Sequence, residues 1–167
     1  MDKKFHHLPL RIGVGIVVLN KNNKIFVAKR IDNPKDFWQM PQGGVDPNES
    51  YLDAAFRELY EETNIKKIEL IKEVEEFTTY ELPDRLLGII WKGKFKGQKQ
   101  KWFLLKIRCQ ENRICMTATP KPEFDGWRWV SYWYPLGQVV PFKREVYRRA
   151  LRELSPRVQR LAQDNEG

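Results

Sequence analysis

The sequence is poor in the residues that build disulfide frameworks and zinc centres: its 167 residues hold two cysteines, Cys109 and Cys115, and two histidines, His6 and His7. Two thiols in or beside apolar segments make no disulfide scaffold and read as reduced cysteines. With no third imidazole, the histidine pair builds no imidazole-rich zinc site and reads as part of the chain terminus. The chain also has no apolar run approaching the roughly 20 residues that cross a bilayer, and it opens on the charged residues Asp2, Lys3 and Lys4. Neither export nor membrane insertion is indicated, and a cytoplasmic location is expected. No repeat, linker or low-complexity tract divides the chain, so one domain is expected over residues 8–160, with 1–7 and 161–167 as flexible termini.

Negative charge is the scarcer sign. Lys and Arg number 30 against 22 Asp and Glu, a formal charge of +8. The excess points to an anionic partner, but composition does not choose among DNA, RNA, nucleotides and acidic lipid. The basic residues are also grouped: between Ile89 and Arg108 there are Lys92, Lys94, Lys96, Lys99, Lys101, Lys106 and Arg108 and no acidic residue. Trp91, Phe95, Trp102 and Phe103 punctuate that segment as stacking platforms or as core, since strand side chains alternate between faces.

The β-branched run Ile12–Leu19, the polar turn NKNN and the run Lys24–Lys29 read as strand, turn and strand. Residues 33–48 are rich in Pro, Gly, Asn and Gln and read as an ordered loop tied to the core by Trp38 and Met40. Further strands are expected near Ile68–Val74, Leu86–Trp91, Trp102–Ile107 and Trp127–Tyr132, and a helix over Lys143–Leu154 that Pro156 limits or kinks. The clearest helix runs from Tyr51 to Thr63: Ser50 is its N-cap, Asp53 stands three residues on, and Asn64 can close it in the left-handed region. Leu52, Ala55, Phe56 and Leu59 form its apolar stripe.

On a neighbouring face Glu58 and Glu61 stand at i, i+3 and Glu58 and Glu62 at i, i+4, so three carboxylates converge and repel. A hard divalent cation relieves that repulsion and can also grip phosphate oxygens and activate water. The alternative is a solvated acidic face on which Arg57 pairs with Glu61.

The stretch GGVDPNESYLDAAFRELYEETNI, Gly43 to Ile65, resembles the signature of the Nudix hydrolases. Gly43, Glu49, Arg57, Glu58, Leu59, Glu61, Glu62 and Ile65 fill its specified positions, and Asn64 replaces its final Gly. Asn tolerates a left-handed helix end better than most residues, so the departure is mild. The resemblance implies an α/β fold, a Nudix α/β/α sandwich on a curved mixed β-sheet, and metal-dependent cleavage of a phosphoanhydride bond. It implies Gly43, Glu58, Glu61, Glu62 and the distal Glu123 as metal ligands, with Asp125 the local alternative to Glu123. Arg57 would orient the cluster and Glu58 would act as general base or water-orienting residue. Mg²⁺ is the implied ion, with Mn²⁺ or another divalent cation able to substitute.

Four further stretches, FWQMPQGGVDPNES, GQKQKWFLL, PEFDGWRWVSYWYP and VVPFKREVYRRAL, are similar to bacterial RNA pyrophosphohydrolases and dinucleoside-polyphosphate hydrolases. The likeness implies conversion of 5′-triphosphate RNA ends to 5′-monophosphate ends with release of pyrophosphate, promoting mRNA decay. The implied partners are 5′-triphosphate or 5′-diphosphate RNA, with dinucleoside polyphosphates as the alternative substrate. A monomer is expected, and a stimulatory protein partner is left open. By the same likeness Phe142 stacks on a base, Lys143 contacts phosphate, and Arg11 and Arg30 touch the triphosphate end or flank its base. Gln42 and Tyr80 are weaker candidates, for orienting phosphate or holding the scaffold. A noncatalytic nucleotide-binding module is disfavoured by the presence of all four glutamates.

Overall fold

The computed structural model describes residues 3–31, 37–109, 114 and 124–166, and for residues 3, 4, 125, 165 and 166 the backbone alone. Its centre is an eight-stranded mixed sheet. Strand β1, Leu10–Leu19, runs parallel to β7, Gly97–Ile107, over ten residue pairs from Leu10 with Gly97 to Leu19 with Lys106. The β1 edge away from β7 is shared by β2, Ile25–Arg30, near Leu19 and by the short antiparallel β4, Gln42–Gly44, at Gly13–Gly15. The other edge of β7 is shared by β5, Ile68–Glu73, and β6, Thr78–Glu81. Finally β3, Trp38–Gln39, and β8, Phe124–Val130, pair with β2.

Alternation along β1 and β7 divides the core in two. Val14, Ile16, Val18, Phe103 and Leu105 point to one face, where helix α1, Tyr51–Thr63, lays down Ala54, Ala55 and Leu59. Val17, Leu19, Trp102 and Leu104 point to the other, covered by Val146, Tyr147, Ala150, Leu151 and Leu154 of helix α3, Arg144–Glu166. At roughly 1.5–3 kcal/mol for each fully buried large aliphatic or aromatic side chain, the two faces drive the sandwich together. This is the expected α/β/α sandwich. A short helix α2, Pro135–Gln138, precedes α3.

Helix α1 forms where its local signals place it. The Ser50 hydroxyl accepts from the Asp53 N–H at 3.0 Å, and Asn64 closes the helix at φ 63° with its N–H donating to the Tyr60 carbonyl. Ala54 is fully buried beside the expected stripe, whereas Leu52 and Phe56 are only partly buried. Met40 is fully buried and Trp38 packs against the core, so both anchors sit as expected, but within the expected loop 38–39 and 42–44 are short strands, and 33–36 lie outside the described residues.

Two segments differ from expectation. Leu86–Trp91 is not a strand: 3₁₀ turns occupy Asp84–Leu86 and Ile90–Gly93, and Gly88, Trp91, Lys92 and Gly93 all have positive φ. The glycines interrupt extended pairing, and Leu86, Leu87, Ile90 and Trp91 all pack on the same core face instead of alternating. Pro156 does not end α3, which runs on through it to Glu166. Of the two chain ends, Lys3–His7 forms a 3₁₀ turn whose Phe5 packs against the core.

Candidate active site

Gly43 and Gly44 lie on β4, clamped to β1 opposite Val14 and Gly13. This register slides the start of the Nudix-like motif under helix α1. A Cβ placed on Gly43 would lie 2.0 Å from the Glu58 carboxyl carbon, so only glycine allows the backbone to pass beneath that carboxylate. A Cβ on Gly13, one strand over, would fall 2.6 Å from the Gly43 carbonyl oxygen, so a second glycine keeps the passage open.

Arg57 ties loop to helix. Its Nε and Nη2 donate to the two Glu49 carboxylate oxygens at 2.8 and 3.0 Å, Nη2 also donates to the Gly44 carbonyl at 2.9 Å, and Nη1 donates to Glu58 at 2.9 Å and Glu61 at 3.3 Å. The Asp46 N–H donates to Glu49 at 3.0 Å and closes the loop on itself. These bonds, the Arg57 fork foremost, hold the Glu49 carboxyl down at about 2. The same fork raises Arg57 above its ordinary range, so it stays a cation throughout. The pairing of Arg57 with Glu61 is therefore one strand of a larger network.

Glu58 differs from Glu49. Its carboxyl is pushed up to about 6 by burial, against the pull of the Arg57 hydrogen bond and with Glu61 adding like charge. Glu62 is buried on the same helix, 9% exposed. Hard oxygen donors, a carboxylate made uncomfortable by desolvation and like charge, and a backbone carbonyl on a glycine loop suit a divalent cation such as Mg²⁺. Among the described residues no three carboxylate, imidazole or thiol side chains are gathered into a metal cluster. Arg57 occupies the space between Glu49, Glu58 and Glu61, and Glu123 lies outside the described residues, as does Cys115. Asp125 is described by its backbone in β8 alone.

Beside this acidic cluster opens a cavity of about 850 Å³. Arg30, Gln42, Tyr80, Phe142 and Lys143 line it, five of the six residues expected to bind substrate. The sixth, Arg11, does not line it, but its guanidinium stands 5.4 Å from the ring centre of Trp91, which does. Register explains the gathering: Arg11 of β1, Gln98 of β7 and Tyr80 of β6 occupy successive positions across three strands. Tyr80 donates to Gln98 at 2.9 Å, Gln100 donates to Gln42 at 3.3 Å, and the Lys143 ammonium stands 5.8 Å from the Tyr80 ring. Phe142 packs against Tyr80 with ring centres 5.7 Å apart.

Burial, with Arg30 and Arg11 adding like charge, pulls Lys143 down to about 8. An arriving anion removes much of that penalty. Of the four aromatics of the basic segment, Trp102 and Phe103 are core, whereas Trp91 reaches the cavity and Phe95 packs edge-on against it at 6.1 Å.

The sequence did not assign Trp38, read there only as a core anchor, or Arg85 to the cavity lining, nor mark the buried glutamines Gln98 and Gln100 behind it. Polar residues at alternate positions of the segment GQKQKW were a usable signal for the glutamines, since position 98 shares a strand face with the buried Trp102. No local signal marks Trp38 or Arg85, which reach the cavity through tertiary packing.

Known proteins resemble this chain in sequence and in fold. The chain is 61% identical over 142 residues to an RNA pyrophosphohydrolase of Pelagibacter ubique, covering 85% of this chain and 89% of that protein. It is 51% identical over 150 residues to an RNA pyrophosphohydrolase of Pseudomonas putida, covering 89% and 93%. Among solved structures it resembles the Escherichia coli dihydroneopterin triphosphate pyrophosphohydrolase, with a TM-score of 0.66 at 20% identity over 86% of this chain and 97% of that one. A Caenorhabditis elegans Ap4A hydrolase complex gives a TM-score of 0.59 at 18% identity over 86% and 98%, a likeness of fold. The NUDIX domain model matches residues 9–152, and with that span and those relatives the chain belongs to the NUDIX family.

Proposed function

We propose that this protein is an RNA pyrophosphohydrolase: it hydrolyses the phosphoanhydride of a 5′-triphosphate RNA end, releases pyrophosphate and leaves a 5′-monophosphate, a step that promotes mRNA decay. One observation carries the reading. The cavity that gathers Arg30, Lys143 and Phe142 is also lined by Gln42, the residue before the glycine passage under Glu58. A terminal nucleotide held by the cations and the aromatic ring thus presents its phosphates to the acidic helix. Identity of 51–61% to RNA pyrophosphohydrolases over most of the chain supports the same conclusion.

In this mechanism Arg11 and Lys143 hold the phosphate chain, and Phe142 with Arg30 holds a base. Glu58, with its carboxyl near 6, takes the proton of the attacking water. Arg57 keeps Glu58 facing the loop by donating to one carboxylate oxygen. Glu58, Glu61, Glu62, the Gly43 carbonyl and Glu123 would hold divalent ions, which when bound offset charge on the phosphates and lower the pKa of water. No covalent protein intermediate is needed.

The test is a matched assay of triphosphate-ended RNA and a dinucleoside tetraphosphate with Mg²⁺. Release of pyrophosphate and a monophosphate RNA end, at higher kcat/KM than the dinucleotide, is the expected result. Preferential cleavage of the dinucleotide would move the assignment to that substrate, and tight RNA binding without cleavage of either would make the protein a binding module. Diphosphate-ended RNA in the same assay reports whether that end is used directly, and sedimentation reports whether the active form is the expected monomer.

A further inference from the structure

The cation expected to grip phosphate from β1 is held in an unusual way. Among the described residues the Arg11 side chain makes no hydrogen bond or close ion pair, although its charge reaches Glu58 and helps to lower that carboxyl. Its guanidinium lies against the backbone of Gly44, where an added Cβ would come within 2.7 Å of Nη2, and its carbon stands 5.4 Å from the ring centre of Trp91. A cation placed over an aromatic face is attracted by the ring quadrupole without spending any of its N–H donors. Arg11 is therefore located while its hydrogen-bonding edge stays available.

The segment that delivers the ring carries a conformational cost. Trp91 and Lys92 are consecutive left-handed residues, at φ 55° and 58°, a state that side-chain-bearing residues rarely adopt in succession. Glycines at positions 88 and 93, at φ 79° and 72°, make the turn sterically feasible, and a Cβ on Gly93 would fall 2.8 Å from the Gly88 carbonyl oxygen. Phe95 meets Trp91 edge-on at 6.1 Å and steadies the ring. A strained turn with two glycine hinges and an aromatic buttress has set one cavity-lining indole against one guanidinium.

We propose that Trp91 is a positioning residue for phosphate-chain binding, acting through Arg11: the indole and the Gly44 backbone orient the guanidinium so that its donors face the phosphates. The proposal rests on the reading of the cavity as a phosphate site. A competing role for Trp91, direct stacking on a nucleobase, makes a different prediction for a ligand without a base.

The experiment is calorimetric titration of inorganic triphosphate into the full, metal-free chain near neutral pH, so that neither hydrolysis nor a base enters the readout. Trp91→Leu is expected to weaken binding about tenfold, the scale of a partly desolvated cation–π contact. Trp91→Phe, which keeps an aromatic face, is expected to recover to within about threefold of the parent. Arg11→Ala combined with Trp91→Leu is expected to bind no more weakly than Arg11→Ala alone, because the two act as one unit. Thermal melting of each variant identifies any that fails to fold, and the comparison of the double variant with Arg11→Ala then carries the test. If the parent chain binds no triphosphate, the phosphate-site reading falls and this proposal with it. If the parent binds and Trp91→Leu binds equally well, or the two substitutions add, Trp91 does not act through Arg11. A loss confined to base-bearing ligands would likewise overturn the proposal in favour of stacking.

Discussion

Arg57 and Arg11 approach the same peptide, that of Gly44, and are used in opposite ways. Arg57 spends its donors inside the protein, on Glu49, Glu58, Glu61 and the Gly44 carbonyl. Arg11 rests against the same glycine and an indole, and among the described residues it acts on Glu58 only through charge, with no hydrogen bond or close ion pair to a carboxylate. The donors of one arginine are saturated inside the protein, whereas those of the other are left for the ligand-binding role proposed for it. The difference follows from neighbours: the helix side of Gly44 is rich in carboxylates, and the cavity side carries cations, amides and aromatic rings. A saturated guanidinium is a structural cross-link, whereas an unsaturated one is a binding group.

The sharpest way to break this division is on the acidic side. Glu62→Ala is expected to lower kcat with Mg²⁺ by roughly 10³-fold or more, since metal-assisted charge stabilisation is worth several kcal/mol. RNA affinity, measured by filter binding, should stay close to that of the parent, and unchanged hydrolysis would remove Glu62 from the metal site. Next, Arg57→Lys should cost roughly 10²-fold in kcat, the scale of moving a catalytic group by about an ångström. A lysine keeps the charge but cannot form the fork to Glu49 together with the bonds to Glu58 and Gly44. Recovery of kcat by Arg57→Lys would mean that charge alone suffices there.

On the cavity side the expected effects are smaller and lie in KM. Lys143 loses its proton near 8 in the free protein, so it is a cation below that pH and neutral above it. KM for RNA should therefore climb above about pH 8, by up to about tenfold per pH unit, as the phosphate loses a cationic partner. Lys143→Arg, which does not titrate in this range, should flatten the rise, and an unaltered KM profile in that variant would assign the limb to another group. The smallest effect belongs to Asn64, which stands at φ 63° where the family signature has glycine. Asn64→Ala should destabilise the fold by about 1 kcal/mol in a denaturant melt, and Asn64→Gly should not.

Helix α1 and its signature were readable because their determinants are local: a serine cap, an asparagine at the left-handed end, and acids spaced at i, i+3 and i+4. The strands of the central ladder were readable too, as β-branched or apolar runs. Leu86–Trp91 misled because an apolar run with high strand propensity says nothing about whether a partner edge is available. Here β6 and β5 already occupy the free edge of β7, and the glycines fold the segment back onto the core. The cavity walls were legible only through the family likeness, since Arg11, Tyr80 and Lys143 are far apart in sequence and meet through strand register and the 3₁₀ turn Pro141–Lys143 that leads into α3. Propensity carries no information on which strand lies beside which.

The parallel ladder between β1 and β7 has a further consequence. Arg11 and Gln98 share its second rung, while Leu19 and Lys106, both buried, close its far end. Amides paired along such a ladder exchange with solvent only when the ladder opens, and a ladder sealed by both core faces opens only with the whole domain. Val14–Leu19 is fully buried along β1 whereas Arg11 and Ile12 are not, so hydrogen exchange should show the highest protection in the centre of β1, falling off towards Arg11. The cation proposed to grip the ligand thus stands at the less buried end of a strand whose other end is locked in the core, beside the turn that carries Trp91.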